Sequence, residues 1–191
     1  QEPPLEACVY ILDNEIIFQD VGEVGSVDVD DYFVDLKCKN SKNNVIVVHS
    51  HPFETKNLVF PVSFPDFETI NSLSGVKQIY AIAPNGEYSM IKKTGLGRVS
   101  DYTLSKFEKI FDEERYQALN DDDKKDMDKF KMIFESDAPF SVKMKAQNEY
   151  EKFIQKESVV ESEIRAVHNF WKKYEWDLGI KYETNYSFLE N

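Results

Sequence analysis

The rhythm of apolar and polar residues changes near residue 98 of this 191-residue chain. Before that point short apolar runs alternate with turn-forming residues; after it apolar residues recur every three or four positions. Ala7–Leu12 and Glu15–Phe18 read as two strands joined by a tight Asp13-Asn14 turn. Tyr32, Phe33 and Leu36 fall at helical spacing, which predicts a helix from about Asp30. Val45–Val48 is a continuous apolar run of the kind found in a strand buried on both faces. Ser63 and Asp66 form a capping pair with Pro65 in the first turn, so a helix is expected from about Phe64 to Leu73. Ile79–Ala83 and Tyr88–Lys92 flank Pro84-Asn85-Gly86, a strong hairpin signal.

Beyond Ser100 the stripes Leu104, Phe107, Ile110, Phe111 and Met127, Phe130, Phe134 are helical, as are the segments 140–155 and 159–176, with Gly179 placed as a C-cap. Six of the seven glycines and six of the seven prolines precede residue 98, which fits this switch from turns to helices. The fold class expected is α/β: a mixed-sheet core with flanking helices over residues 1–98, then a mainly helical C-terminal region over 99–191. The helical stripes are read as packing faces and not as ligand sites.

Composition narrows the function classes. A hydrophobic content of 41 % with 14 % aromatic residues is that of a globular protein. The net charge of −12 argues against non-specific nucleic-acid binding and against docking on anionic membranes, both of which draw on Lys and Arg. No apolar run reaches the length of a membrane span. The chain starts at Gln1, so a processed or trimmed N-terminus is expected; a cytoplasmic location is the working expectation. Cys8 and Cys38 lack metal-type spacing and are read as reduced core residues or, in an exported protein, one disulfide. The Asp121–Asp123 run opens a helix after Asn120, where negative charge suits the helix dipole, and it lacks the glycine and spaced ligands of a calcium loop.

The chemistry gathers at the end of the apolar run. His49 and His51, two of the three histidines, lie at i and i+2 on one face of the expected strand, and Asp66 arrives in the first turn of the next helix. Two imidazoles and a carboxylate are a ligand set for a catalytic Zn2+ with one position open to water. Each residue also has an ordinary structural use: the histidines as a hydrogen-bonded core pair, Asp66 as a capping carboxylate, Ser63 as an N-cap. His168 stands alone on a helix and reads as a packing or surface residue.

The order His49-x-His51, spacer, Ser63-x-x-Asp66 resembles the signature of the JAMM (MPN+ or JAB) zinc metallopeptidases. The resemblance covers about residues 5–95. Pro52, directly after the second histidine, is similar to prokaryotic branches such as RadC-like proteins and the JAB domains of phage and mobile-element proteins. The spacer Pro52–Val62 has eleven residues, longer than is usual in the family. Its apolar Phe53, Leu58, Val59 and Phe60 suit a lid, a groove wall or a core-capping segment.

The resemblance implies hydrolysis of a peptide or isopeptide bond in a protein or peptide substrate, ubiquitin-like conjugates included. It also implies an upstream glutamate as general base and a serine that hydrogen-bonds the developing oxyanion, here Ser63. Glu6, which opens the first strand, is the first candidate for the base; Glu15 and Glu23 remain open. The alternatives are a non-catalytic scaffold of the same fold and a component of a phage or mobile-element assembly.

Overall fold

The computed structural model describes residues 6–22, 31–51, 58–95 and 97–190. Strands β1 (Ala7–Leu12) and β2 (Glu15–Val21) form a hairpin. Asp13 and Asn14 both take positive φ, 53° and 67°, as a two-residue hairpin turn demands. A short helix follows, α1 (Asp31–Phe33), which widens into a π-type turn over Val34–Cys38. There Lys39 N–H reaches back five residues to Val34 O. The extra residue per turn rotates the stripe expected from the spacing. Phe33 packs against Tyr10 and Phe18 and Cys38 is buried, while Tyr32 and Leu36 face outward.

Strand β3 (Val45–Ser50), helix α2 (Phe64–Ser72) and strand β4 (Val76–Ile82) make a parallel crossover unit. Strand β5 (Tyr88–Lys93) returns antiparallel to β4. Helices α3 (Asp101–Ala118), α4 (Asp121–Glu135), α5 (Phe140–Ile154) and α6 (Glu157–Leu178) follow. Gly179 ends α6 in the left-handed conformation, and the chain then forms β6 (Ile180–Thr184) beside β5, an element the sequence reading did not anticipate. The sheet order is β2-β1-β3-β4-β5-β6, mixed because β3 and β4 alone run parallel. The architecture is thus a mixed sheet flanked by helices, followed by a mainly helical region.

One apolar core runs through both stretches of chain. Val45, Val47, Ile79 and Ile91 of the sheet and Phe64, Phe67 and Ile70 of α2 share it with Phe107 and Phe111 of α3 and Phe170 and Trp171 of α6. Trp171 stacks on Phe64 and is fully buried. A second cluster holds α4 and α5 to the start of α6 through Phe130, Ala146, Phe153 and Val159. The Asp121–Asp123 run opens α4 as expected, Asn120 caps it, and the buried Asp123 carboxylate is held by Lys156, Ser158 and Asn120. Cys8 and Cys38 are free thiols in the main core, and burial pushes Cys38 up to about 11. Among the described residues no helix is long and apolar enough to cross a membrane.

Candidate metal centre

Strand parity explains how the site assembles. Val45, Val47 and His49 project from one face of β3, with His51 continuing that face beyond its end. On β1 the matching face carries Cys8 and Tyr10, and Cys8 pairs across from His49 in the antiparallel ladder. Continued two residues, that register sets Glu6 across from His51. The junction is tied by Ala7 N–H donating to Ser50 Oγ at 2.8 Å. Glu6, Cys8, His49, His51, Ser63 and Asp66 all border one open cleft of about 320 Å³.

His49, His51 and Asp66 each bring a ligand atom to within 4.8 Å of the others. The two Nε2 atoms are 2.9 Å apart, and His49 Nε2 is 3.3 Å from Asp66 Oδ1. Two donors held at about 2.0–2.1 Å on a tetrahedral ion lie about 3.3 Å apart, so these two pairs are within a few tenths of an ångström of ligand spacing, and the His51–Asp66 pair lies within 4.8 Å. Their other edges are already spoken for. His51 Nδ1–H donates to Phe60 O at 2.8 Å, which leaves the Nε2 lone pair facing the cluster. Asp66 Oδ2 accepts from Ser63 N–H at 2.6 Å and from Ser63 Oγ at 2.8 Å, which leaves Oδ1 toward His49. These are the supports a metal ligand uses, and the donor set could coordinate a divalent metal.

The capping box at the head of α2 therefore has two outcomes from one local pattern. Ser63 Oγ accepts from Asp66 N–H as an N-cap, while the Asp66 carboxylate, held by Ser63, is oriented into the cleft. His49 and Asp66 side chains are only 11 % and 16 % exposed. Burial holds the His49 imidazole below its ordinary value, against the pull of Asp66, and so favours the neutral, ligating form. Burial raises the Glu6 carboxyl above the ordinary range; His51 opposes the shift and Asp66 adds to it.

Of the other glutamates considered, Glu15 begins β2 and is exposed, away from the cleft. Glu23 lies outside the described residues, as do Pro52 and Phe53 of the spacer. Val59 of the spacer is buried with Ala83 and Tyr186, a core-capping contact. His168 is half-buried on α6, its ring edge against Tyr182.

Four supports escaped the sequence reading. Phe60 O accepts from both His51 and the Tyr186 hydroxyl, the latter at 3.1 Å. Trp171 Nε1–H donates to Val62 O at 2.8 Å, and Val62 N–H donates to Ser89 Oγ at 2.7 Å. The segment from Phe60 to Val62 is thus clamped just before the capping box. No protein-family model, curated protein or solved structure matches the chain.

Proposed function

We propose that the chain is a zinc-dependent metallohydrolase of the JAMM type, cleaving a peptide or isopeptide bond in a protein substrate. The observation that carries this reading is the convergence of His49 Nε2, His51 Nε2 and the Asp66 carboxylate at a cleft that Glu6 also borders. A zinc ion there would polarise a water and the scissile carbonyl. Glu6, across from His51 on the same sheet face, takes a proton from the attacking water and returns it to the leaving amine. Ser63 anchors Asp66 through its hydroxyl. To donate to an oxyanion as well, that hydroxyl turns from Asp66 toward the substrate. His51, bonded to Phe60 O, holds its Nε2 lone pair toward the cleft, and the neutral His49 would ligate through Nε2 once its proton sits on Nδ1.

The test has two arms. Bound metal is measured by mass spectrometry after zinc addition for the parent and for His49→Ala, His51→Ala and Asp66→Ala. About one zinc per parent chain, lost in the variants, is expected; a parent without zinc sinks the site. Glu6→Gln should keep its zinc and lose about 10²–10⁴ in hydrolysis of a peptide or isopeptide substrate. Zinc binding with no hydrolysis by the parent would instead favour a metal-holding scaffold.

A further inference from the structure

A second cleft, of about 690 Å³, opens at the far end of the sheet from the histidines. It lies where β3 and β4 begin and β5 ends, roughly 15 Å along the strands from His49. Its volume is in the range of small-molecule sites, about 300–1,000 Å³. Lys77, Lys93 and Arg98 line it with their side chains, and no carboxylate does; Lys92, which pairs with Gln78 and Lys181, turns its side chain to the other face of the sheet. In a chain with 35 acidic and 23 basic side chains, three cations around one cleft are a local inversion of the overall charge.

The cations are held in place. Lys77 Nζ donates to Ser74 O at 2.5 Å and Ser41 O at 3.2 Å, and Lys93 Nζ donates to Leu73 O at 3.1 Å. Asn71, buried in α2, clamps Val99 by two hydrogen bonds of 2.8 and 3.0 Å and so fixes the chain beside Arg98. Arg98 is paired with Asp101 at 2.9 Å. Among the described residues Lys77 and Lys93 form no ion pair with a carboxylate.

The end of α2 explains part of this arrangement, since cations favour helix C-terminal carbonyls. That end carries only about half a negative charge, too little to balance two ammonium groups. Burial pushes Lys93 down to about 8, and the neighbouring Lys77 charge adds to it.

We propose that this cleft binds a small, multiply charged oxyanion of the phosphate class. A single carboxylate would leave most of the charge unmatched, whereas a pyrophosphate-type group meets several N–H donors at once. Each ammonium has three N–H groups; Lys93 uses one on protein and Lys77 two, so both retain a donor for the ligand.

Isothermal titration of the full chain with inorganic pyrophosphate, and separately with ADP, under metal-free conditions tests the site. Saturable one-to-one binding is expected, weakening as salt is raised. Lys93→Gln should weaken it by about ten- to a hundredfold, the effect of one lost charge-assisted hydrogen bond. Should Lys93→Gln fail to fold, Lys77→Gln serves, because that side chain borders the same cleft on the same face of the sheet; it too should weaken binding. Lys145→Gln, on the exposed face of α5, should bind as the parent does. Tighter binding of ADP assigns the phosphate to a nucleotide, and tighter binding of pyrophosphate assigns it to the free anion. The absence of saturable binding overturns the proposal. So does binding that survives Lys77→Gln and Lys93→Gln, or that is lost in His51→Ala, which would place the anion among the histidines.

Discussion

Ser63 offers the sharpest test of how the centre is built, because its cap and its hold on Asp66 separate chemically. The hydroxyl accepts from Asp66 N–H at 3.3 Å and donates to Asp66 Oδ2 at 2.8 Å. Replacing an N-cap serine by alanine costs about 0.5–2 kcal/mol of stability, but by glycine only a few tenths. Both changes remove the donor to the carboxylate, while Ser63 N–H keeps its own 2.6 Å bond to Oδ2. Loss of a group that orients a metal ligand weakens metal binding about 10–100-fold. With one of two anchors retained, the lower end applies, about tenfold or roughly 1.4 kcal/mol.

Ser63→Gly should therefore unfold within about 0.5 kcal/mol of the parent while binding zinc about tenfold more weakly. Ser63→Ala should lose on both counts. Urea unfolding and competition for zinc against a chromophoric chelator read the two quantities independently. A Ser63→Gly variant that binds zinc as tightly as the parent refutes the anchoring role. Hydrolysis at saturating zinc then isolates the second role. Recovery to near the parent rate is expected if anchoring is all that Ser63 does. A residual deficit of about 10²–10³ would instead assign its hydroxyl to the oxyanion.

Three further outcomes follow from named contacts. Trp171→Phe leaves Val62 O buried without its donor, about 1–3 kcal/mol, and leaves a void beside Phe64; chemical unfolding should show a loss of about 2–5 kcal/mol, and zinc titration a weaker site, whereas unchanged zinc affinity would unlink α6 from the centre. Gly75→Ala would set a Cβ 2.5–2.8 Å from the backbone oxygens of Asn40, Cys38 and Lys37, none able to swing aside; the same assay should show a loss of about 1–3 kcal/mol, and a neutral result would mean that this approach is looser than described. Lys93 is more easily protonated when unfolded, so its contribution to stability should rise as pH climbs from about 8 toward 10.5; Lys93→Met should flatten that rise in unfolding measured against pH, and an identical pH profile in parent and variant would remove the burial argument.

What the sequence made legible is what short stretches of chain decide for themselves. The Asp13-Asn14 turn, the capping box at Ser63, the helix start at Asp121–Asp123 and the Gly179 stop each depend on neighbours within a few residues, and each forms as expected. The shared face of His49 and His51 follows from the two-residue period of a strand. Glu6 reaches the same cleft because β1 obeys that period too. The exception among local features is α1, where an i+5 hydrogen bond displaced a stripe that spacing alone would place inward.

The remainder was hidden because it is made by backbone oxygens and by partners far apart in the chain. Carbonyls leave no trace in a sequence, yet Phe60 O fixes the His51 tautomer and Val62 O receives the Trp171 indole. Tyr186 reaches Phe60 across 126 residues, and Trp171 reaches Val62 across 109. β6 falls in the region expected to be mainly helical; Ile180–Thr184 is short, and only its pairing with β5 makes it a strand. The physical consequence concerns the centre itself. Two histidines, a serine and an aspartate supply the donors from within eighteen residues of chain, 49–66, but what holds Phe60–Val62 in place beside them comes from β5, α6 and the residues after β6. Motif residues thus determine which ligands are available, while the distant helix and tail determine how rigidly those ligands are held.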